Sequence, residues 1–450
     1  MINKYCRGML FILFILACSN TFGQDKSVLN NNLMRWVRNY WTCNNTCPAI
    51  QTKIQELIDK GADPNCQSEE HKTPLIYAVS RGSTNVKENL ALVILLLKNG
   101  ADPNIKGPDG KTPLILVPRF RNNSGEIMAE IVQQLIDYKA DVNALDSEGN
   151  TALTAMVKFG ESKSIKILLE HGAKEGKKTA KEKTPLMIAV EKDDAEAVKI
   201  LLEHGADPSI GYKTGATPLD MAIIRRGEHL LKNDDILDLL LKDKKSISKQ
   251  TVWLIVERKD AQLFKKFVDS GGDVNIESAQ KDTPLIKAAE NNAIEIVQFL
   301  IEQSVDIDHK GYLGKTAFIQ AMEKGNVDIA KLFIDKGANV VDNLIGNGKG
   351  LHIAAENGYL DIVEIMVGKG TPVDNRSGNA NATPLMLACA AGHLDIVKFL
   401  VEHGANLELQ SYRSTGDDYS MIKVIGTPLM WAQYGNHQDI IGYLISKGAK

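Results

Sequence analysis

One stretch of the sequence, residues 381–406, is a template that most of the chain repeats with variations. Thr383 and Pro384 are predicted to open a first helix, because Thr accepts hydrogen bonds from the free amides of a first turn and Pro fits the first helical position. Residues 394–401 carry the apolar stripe of a second helix, and Gly404 suits the left-handed position that ends it. One such unit cannot bury its own apolar face, so copies of it must stack.

The Thr-Pro-Leu opening of the template recurs along the chain at a nearly fixed spacing. The aligned repeats open at Thr73, Thr112, Thr151, Thr184, Thr217, Thr251, Thr283, Thr316, Lys349, Thr383 and Thr427. The intervals are 39, 39, 33, 33, 34, 32, 33, 33, 34 and 44, and the opening at Thr251 is degenerate because Val252 and Trp253 follow it. A fixed period predicts a stack that grows in one dimension, although 450 residues would otherwise suggest about three globular domains.

A small residue follows three places after the Leu of most openings, and we expect it to let the helices of adjacent repeats approach closely: Ala78, Ala189, Ala222, Ala288, Ala321, Ala354, Ala388 and Ala432. Motif, period and both helix stripes together make the chain resemble ankyrin-repeat proteins over about 400 of its 450 residues. The resemblance implies an all-α solenoid of helix-turn-helix units with β-turn fingers, comprising about eleven repeats and an N-terminal cap. The His that this family usually carries after Thr-Pro-Leu is present only as His352. We therefore expect apolar packing to replace most of the family's Thr–His hydrogen-bond network.

The repeat pattern divides the chain into three parts. Residues 1–23 are a targeting segment, residues 24–71 a degenerate N-terminal capping repeat, and residues 72–450 the repeat array. Two irregularities interrupt the array. The repeat near 235–270 is eroded, since the approach to it lacks a Gly-Ala-Asp exit, and it either kinks the stack or marks an inner division. The last finger, residues 407–426, is unusually long.

The N-terminal segment has the pattern of a secretory signal peptide. Lys4 and Arg7 precede an apolar run over residues 9–17 that is too short to span a bilayer. Two interpretations of its processing are open: ordinary cleavage after Gly23, or a lipoprotein signal in which Cys18 is lipidated. Either predicts export from a bacterial cytoplasm, to the periplasm, the cell envelope or the exterior. Membrane contact is expected only through a lipid anchor at Cys18.

The remaining cysteines suggest one cross-link. Cys43 and Cys47 flank a short turn-rich segment, and in an oxidising exterior such a pair is expected to form a disulfide. Two free thiols are the alternative. Cys389 lies among small alanines, and we expect it to be buried.

Composition and motifs argue against several functions. The net charge of -3 disfavours a nucleic-acid binder, which would show a basic face. The Gly-Lys-Thr sequences ending at Thr112 and Thr316 lack the earlier glycine of a phosphate-binding loop. The Glu-His-Gly sequences at His171, His204 and His403 are spaced by the repeat period or multiples of it, so equivalent side chains even on adjacent repeats stand roughly 10 Å apart, too far for one ion. We expect no enzyme activity, no metal and no cofactor.

The resemblance implies that partners bind on the concave side, which the fingers and first helices form. One register position of this side carries a polar ladder that is a candidate binding surface: Glu290, Glu323 and Glu356. The alternative is that these glutamates only solvate the surface and pair with lysines of neighbouring repeats. The C-terminal repeats lose these charges and gain aromatic side chains, which often dominate protein interfaces. We predict the main partner site at Tyr412, Arg413, Tyr419, Trp431 and Tyr434, although Trp431 also suits a core or capping role.

These features together predict a monomeric scaffold that binds a protein partner. An immunity-type protein that neutralises a toxin or enzyme, and a secreted effector that binds host proteins, are the alternatives.

Overall fold

The computed structural model describes residues 25–40, 47–80, 86–117, 125–176, 179, 182–231, 234–340, 349–376, 381–414 and 423–450. The fold is the all-α ankyrin solenoid, built from antiparallel helix pairs that stack on one another. Contacts cluster in two compact units, unit 1 (Met1–Ser248) and unit 2 (Lys249–Lys450). Within the described residues, no helix is long and apolar enough to span a membrane.

The described residues of unit 1 form six helix pairs. They are α1 (Lys26–Asn39) with α2 (Cys47–Asp59), α3 (Pro74–Ser80) with α4 (Val86–Lys98), α5 (Pro113–Leu116) with α6 (Gly125–Asp137), α7 (Ala152–Phe159) with α8 (Ser162–Glu170), α9 (Pro185–Glu191) with α10 (Ala195–Glu203), and α11 (Pro218–Gly227) with α12 (Asp235–Leu241). The Arg38 guanidinium of α1 donates to the Tyr77 hydroxyl of α3 at 2.6 Å and lies 4.9 Å from the ring centroid, which ties the first pair to the second.

The described residues of unit 2 form six further pairs and a hairpin. They are α13 (Thr251–Glu257) with α14 (Ala261–Asp269), α15 (Pro284–Glu290) with α16 (Ile294–Glu302), α17 (Ala317–Glu323) with α18 (Val327–Asp335), α19 (Lys349–Asn357) with α20 (Leu360–Gly368), α21 (Pro384–Ala391) with α22 (Leu394–Glu402), strands β1 (Ser411–Ser414) and β2 (Lys423–Gly426), and α23 (Pro428–Tyr434) with α24 (Gln438–Ser446). The strands pair antiparallel, with Ser411 opposite Gly426, so the base of the long finger is a two-stranded hairpin.

The threonine caps form as the sequence predicts. In most first helices the Thr hydroxyl accepts from the backbone N–H three residues on, as Thr184 does from Met187 at 3.2 Å. Each such cap stabilises its helix by about 1 kcal/mol. Thr112 is an exception, because its hydroxyl makes no cap hydrogen bond. The predicted small residues are confirmed as core, since most of the alanines at that position, such as Ala189 and Ala288, are fully buried.

In the structure, the repeat near Thr251 starts one residue earlier than the sequence pattern predicts. Gln250, not Thr251, is the N-cap of α13, and Thr251 lies inside the helix and is buried. Val252 and Ile255 then take the buried places that Leu and Ala hold in other first helices. The intervals on both sides become 33, and Trp253 rather than the next residue occupies the position of the family's His. Thr251 misled the alignment because its residue type matches a cap that the backbone does not place there.

The eroded exit before residue 250 is held by buried polar contacts instead of a finger. A single 3-10 turn, Lys244–Ser246, follows α12. The Asp220 carboxylate, fully buried, accepts from the Thr217 N–H and the Ser248 hydroxyl, both at 2.9 Å. The Thr217 hydroxyl donates to the Ser246 carbonyl at 3.1 Å. These bonds fasten the exit segment to the start of α11.

The fingers of each unit are linked by a repeated side-chain contact. In unit 1 the Asn104 amide donates to the Lys139 carbonyl at 2.9 Å and accepts from the Asp141 N–H at 2.8 Å, and Asn65 and Asn143 repeat this pattern. In unit 2 carboxylates take over the acceptor role, as when the carboxylates of Asp308, Asp374 and Glu408 accept from the N–H groups of Asn339, Asn406 and Lys450. These contacts fix each of the named fingers to the next one within its unit.

Candidate functional site

The polar ladder lies at one register position of successive first helices. Correcting the alignment adds Glu257 on α13 to Glu290, Glu323 and Glu356, so four glutamates follow one another in unit 2. Lysines of the same unit pair with two of them. Glu290 lies 2.9 Å from Lys287 and 3.3 Å from Lys324, and Glu323 pairs with Lys315. Glu257 and Glu356 make no ion pair within the described residues.

The environment of Glu290 combines burial with positive charge. Burial raises its pKa, but hydrogen bonds and charges from Lys287 and Lys324 outweigh burial and hold the pKa below its usual value. Glu290 therefore stays ionised at neutral pH and stabilises two neighbouring helices. Lysines of the same unit therefore neutralise the charge of Glu290, as expected if the ladder serves solvation with Glu/Lys pairing.

The C-terminal candidates divide into buried, exposed and undescribed residues. Trp431 is only 6% exposed, which places its ring in the core, whereas Tyr434 is 51% exposed on the same helix. A Cβ on Gly426 would lie 3.1 Å from the Trp431 ring, so the ring packs closely against the end of β2. Tyr412 and Arg413 lie on β1, but their side chains, like the whole of Tyr419, are outside the described residues.

Sequence reasoning missed an exposed apolar pair at the tip of one finger. Tyr312 is 53% and Leu313 68% exposed, and Leu313 has a left-handed backbone with φ 56° and ψ 24°. The Tyr312 N–H donates to the Asp282 carboxylate at 2.8 Å, which fixes the turn to the preceding finger. The equivalent turn in unit 1 carries Asp109 at φ 59°. The sequence did contain a signal, because Tyr312 and Leu313 stand where the unit 1 turn has Pro108 and Asp109.

The position of the family's His is filled as expected in most repeats. Ile76, Met187 and Met386 are buried there, and His352 is also buried, with its Nε2 3.0 Å from the Ala382 carbonyl. Trp253 on α13 and Ile319 on α17 are half-buried at this position, and Met430 on α23 is exposed.

The histidines that end second helices serve their own helices. In His171, His204 and His403, the Nδ1 atom lies 2.8 Å from the carbonyl oxygen four residues earlier. The described part of the chain contains no group of three or more side chains arranged to hold a metal ion.

Two cysteines are described with their side chains. Cys389 is fully buried, as the alanines around it predict, and burial raises the pKa of its thiol. Burial also raises the pKa of the Cys66 thiol to about 11. Cys18 and Cys43 and the side chain of Cys47 lie outside the described residues, so the disulfide and the lipid anchor stay predictions.

Stacked helix pairs, and fingers linked to one another within each unit, define a solenoid repeat protein. The family described as "Ankyrin repeats (3 copies)" matches residues 49–123, 86–179, 120–212, 173–251, 252–343 and 351–450. The chain belongs to the ankyrin-repeat family, and ankyrin repeats bind protein partners.

No curated protein matches the chain significantly. Among solved structures, the chain is similar to one of a predatory endopeptidase from Bdellovibrio bacteriovorus in complex with an immunity protein. That match has 26% sequence identity and a TM-score of 0.38, and it covers 45% of this chain and 100% of the other.

Proposed function

We propose that the chain is a non-catalytic scaffold that binds a protein partner through the fingers and first helices of unit 2. Large apolar side chains are exposed at these positions: Tyr312, Leu313, Met430 and Tyr434. Exposed aromatic side chains supply much of the binding free energy at protein interfaces. The glutamates of the polar ladder lie at a nearby position of the first helices. Such polar side chains form the rim of a protein interface.

Leu313 is the observation that carries this proposal. A bulky residue in a left-handed conformation costs about 1–2 kcal/mol, and glycine would avoid that cost. Core packing does not repay it, because the side chain is 68% exposed. Asp109 in the equivalent turn is a residue type that tolerates this backbone. Among the described non-glycine residues with positive φ, Leu313 is the one apolar side chain, and strained backbone positions cluster at functional sites.

The test begins by capturing the partner from native cells with the full chain and measuring its affinity. We expect Leu313→Asp to weaken binding at least about tenfold without loss of folding, because it removes the apolar contact and keeps a residue that the turn accepts. Asp109→Asn, in the matched turn of unit 1, should leave the affinity unchanged. Equal affinity for the Leu313 and Asp109 variants would refute the role of this tip.

The long finger is the second part of the proposed surface. Its hairpin base ends against Trp431, and Tyr434 is exposed on the helix that follows. Replacing residues 411–425 by a short turn should reduce partner affinity, as should Tyr434→Ala. If the truncated protein captures the partner as well as the full chain, the C-terminal site is wrong, whatever the result at Leu313.

We also propose that the protein is exported from a bacterial cytoplasm. The support is the sequence of Lys4, Arg7 and the apolar run 9–17. Intact mass of the protein purified from the cell envelope distinguishes the two processing routes. A chain that starts at Gln24 indicates ordinary cleavage, and a diacylglyceryl adduct on Cys18 indicates a lipoprotein. An unprocessed chain recovered from the cytoplasm would contradict export.

A further inference from the structure

The first helix of unit 2 carries a shallow recess of about 260 Å³. Its lining residues are Lys249, Gln250, Trp253, Leu254 and Glu257. Four of them follow the i, i+3, i+4, i+7 spacing of one helix face, and Lys249 immediately precedes that face. Trp253 therefore stands between a lysine and a glutamate at the two ends of the recess.

Two other repeats close the same pair of positions with an ion pair. Lys183 precedes α9 and pairs with Glu191, eight residues later. Lys315 precedes α17 and pairs with Glu323, also eight residues later. In each case a lysine directly before the N-cap reaches along the first helix to a glutamate at the register position of the ladder, which is Glu191 in α9 and Glu323 in α17. The position between them is Met187 in one repeat, which is buried, and Ile319 in the other.

Lys249 and Glu257 occupy these two positions on α13, yet they form no ion pair with each other or with any other described residue. Trp253 takes the place of the smaller apolar side chains and, like Ile319, is half-buried. The face that is closed in the sister repeats is thus open here. It presents a positive group, an indole surface and a negative group in sequence.

The chemistry of the three groups defines what fits between them. Trp offers the strongest aromatic surface for a cation, and Glu257 lies one helical turn beyond it. Lys249 would repel a lone cation but attract a carboxylate. Eight helical residues span about 12 Å, and two side chains on one side of an extended segment start about 7 Å apart, so two long side chains can reach both ends.

We propose that this recess binds an extended segment of a protein partner with a basic and an acidic residue two positions apart. The basic side chain stacks on Trp253 and pairs with Glu257, and the carboxylate pairs with Lys249. The inference rests on the proposed scaffold function and specifies the chemistry of one part of its surface. The ion pairs of the sister repeats are the intramolecular counterparts of these contacts.

The first test uses a peptide probe on the unaltered protein. The indole N–H resonance of Trp253, assigned by its loss in Trp253→Phe, should shift in a saturable way on titration with acetyl-Glu-Ala-Arg-amide. Replacing the probe's arginine by citrulline, or its glutamate by glutamine, should each weaken binding about tenfold. If the citrulline peptide binds as well as the arginine peptide, or if neither shifts the resonance at millimolar concentration, the proposal is overturned.

The second test changes the protein at an exposed position. Glu257→Gln should weaken the probe about tenfold and leave the helical circular dichroism unchanged, because Glu257 is exposed. Glu191→Gln is the matched control, since it opens the closed pair of a sister repeat and should not alter probe affinity. If Glu257→Gln binds the peptide probe as tightly as the unaltered protein, the proposed binding at the recess is overturned. Partner capture that still depends on Leu313 would then show that the scaffold function survives without it.

Discussion

At the scale of single residues, the turn between the two helices of some repeats carries a glycine that a histidine of the next repeat covers. His437 brings its Nε2 to 3.1 Å from the Ala390 carbonyl, and a Cβ on Gly392 would lie 2.5 Å from the same ring. His393 stands in the same way over Gly358. The Gly-His dipeptide of the template is therefore a contact between repeats as well as a turn.

Alanine substitutions at three glycines distinguish the cost of backbone strain from the cost of losing space at the His437 contact. Gly392→Ala adds a left-handed alanine at φ +87° and a clash with His437, so we expect a loss of about 2–4 kcal/mol in the free energy of unfolding. Gly404→Ala adds strain alone, because no atom lies within 4 Å, and should cost about 1–2 kcal/mol. Gly368→Ala, in a helical turn with open space, should stabilise by about 0.5–1 kcal/mol. Urea denaturation measures the order, and equal effects at Gly392 and Gly404 would rule out the His437 contact.

The ladder residue Glu290 has a pH dependence whose sign follows from its lowered pKa. An acid with a lower pKa in the folded state stabilises the fold above its unfolded pKa, near 4.3, and loses that contribution as the pH falls through the folded value. Glu290→Gln should therefore destabilise by about 0.5–1 kcal/mol at pH 7 and have no effect below the folded pKa. Urea midpoints of both proteins across pH 2–7 test this. A constant difference across that range would show that charge is not the cause.

At the scale of elements, the exit segment 242–249 replaces a finger with hydrogen bonds. Other repeats end on Gly-Ala-Asp or a close variant, and their fingers are fixed to the next by side-chain contacts. Here Asp220 caps its own helix and also holds Ser248, so one carboxylate serves both elements. Losing it should release the segment while leaving the helix stripes intact.

We expect Asp220→Ala to destabilise the last repeat of unit 1 by about 2 kcal/mol, since it leaves the Thr217 N–H and the Ser248 hydroxyl without this acceptor. Ser248→Ala removes one of the two bonds and should cost about half as much. Hydrogen exchange should rise first in α12 and in residues 243–248. Uniform faster exchange over all of unit 1 would contradict a local role.

The fold was largely predictable because the repeat makes each local signal recur. Threonine caps, buried alanines and helix-ending glycines each recur in most of the repeats and support one another, so one degenerate copy does not obscure the pattern. Gln250 escaped detection because α13 begins after it without a side-chain cap hydrogen bond. Leu313 was not detected because its importance lies in a backbone angle. The recess at Trp253 was not detected because it depends on an ion pair that does not form.

At the scale of the whole molecule, stability in a stack is a sum of repeat terms and neighbour terms. Contacts cluster within residues 1–248 and within residues 249–450. The division falls where the exit segment replaces a finger and just before the corrected start of α13. Cooperativity should follow contacts, so the two units are expected to unfold as separate steps.

Urea denaturation of the full chain should therefore show two transitions, and variants in each unit identify them. Asp220→Ala should lower the midpoint of one transition and leave the other within experimental error, whereas Gly392→Ala should do the reverse. Unit-specific probes make the assignment independent of curve fitting: hydrogen exchange of α9 reports unit 1, and the Trp431 indole, buried beside β2, reports unit 2. A single transition whose midpoint moves in both variants would show that the stack transmits stability across residue 248, and it would require a strong neighbour term at that point.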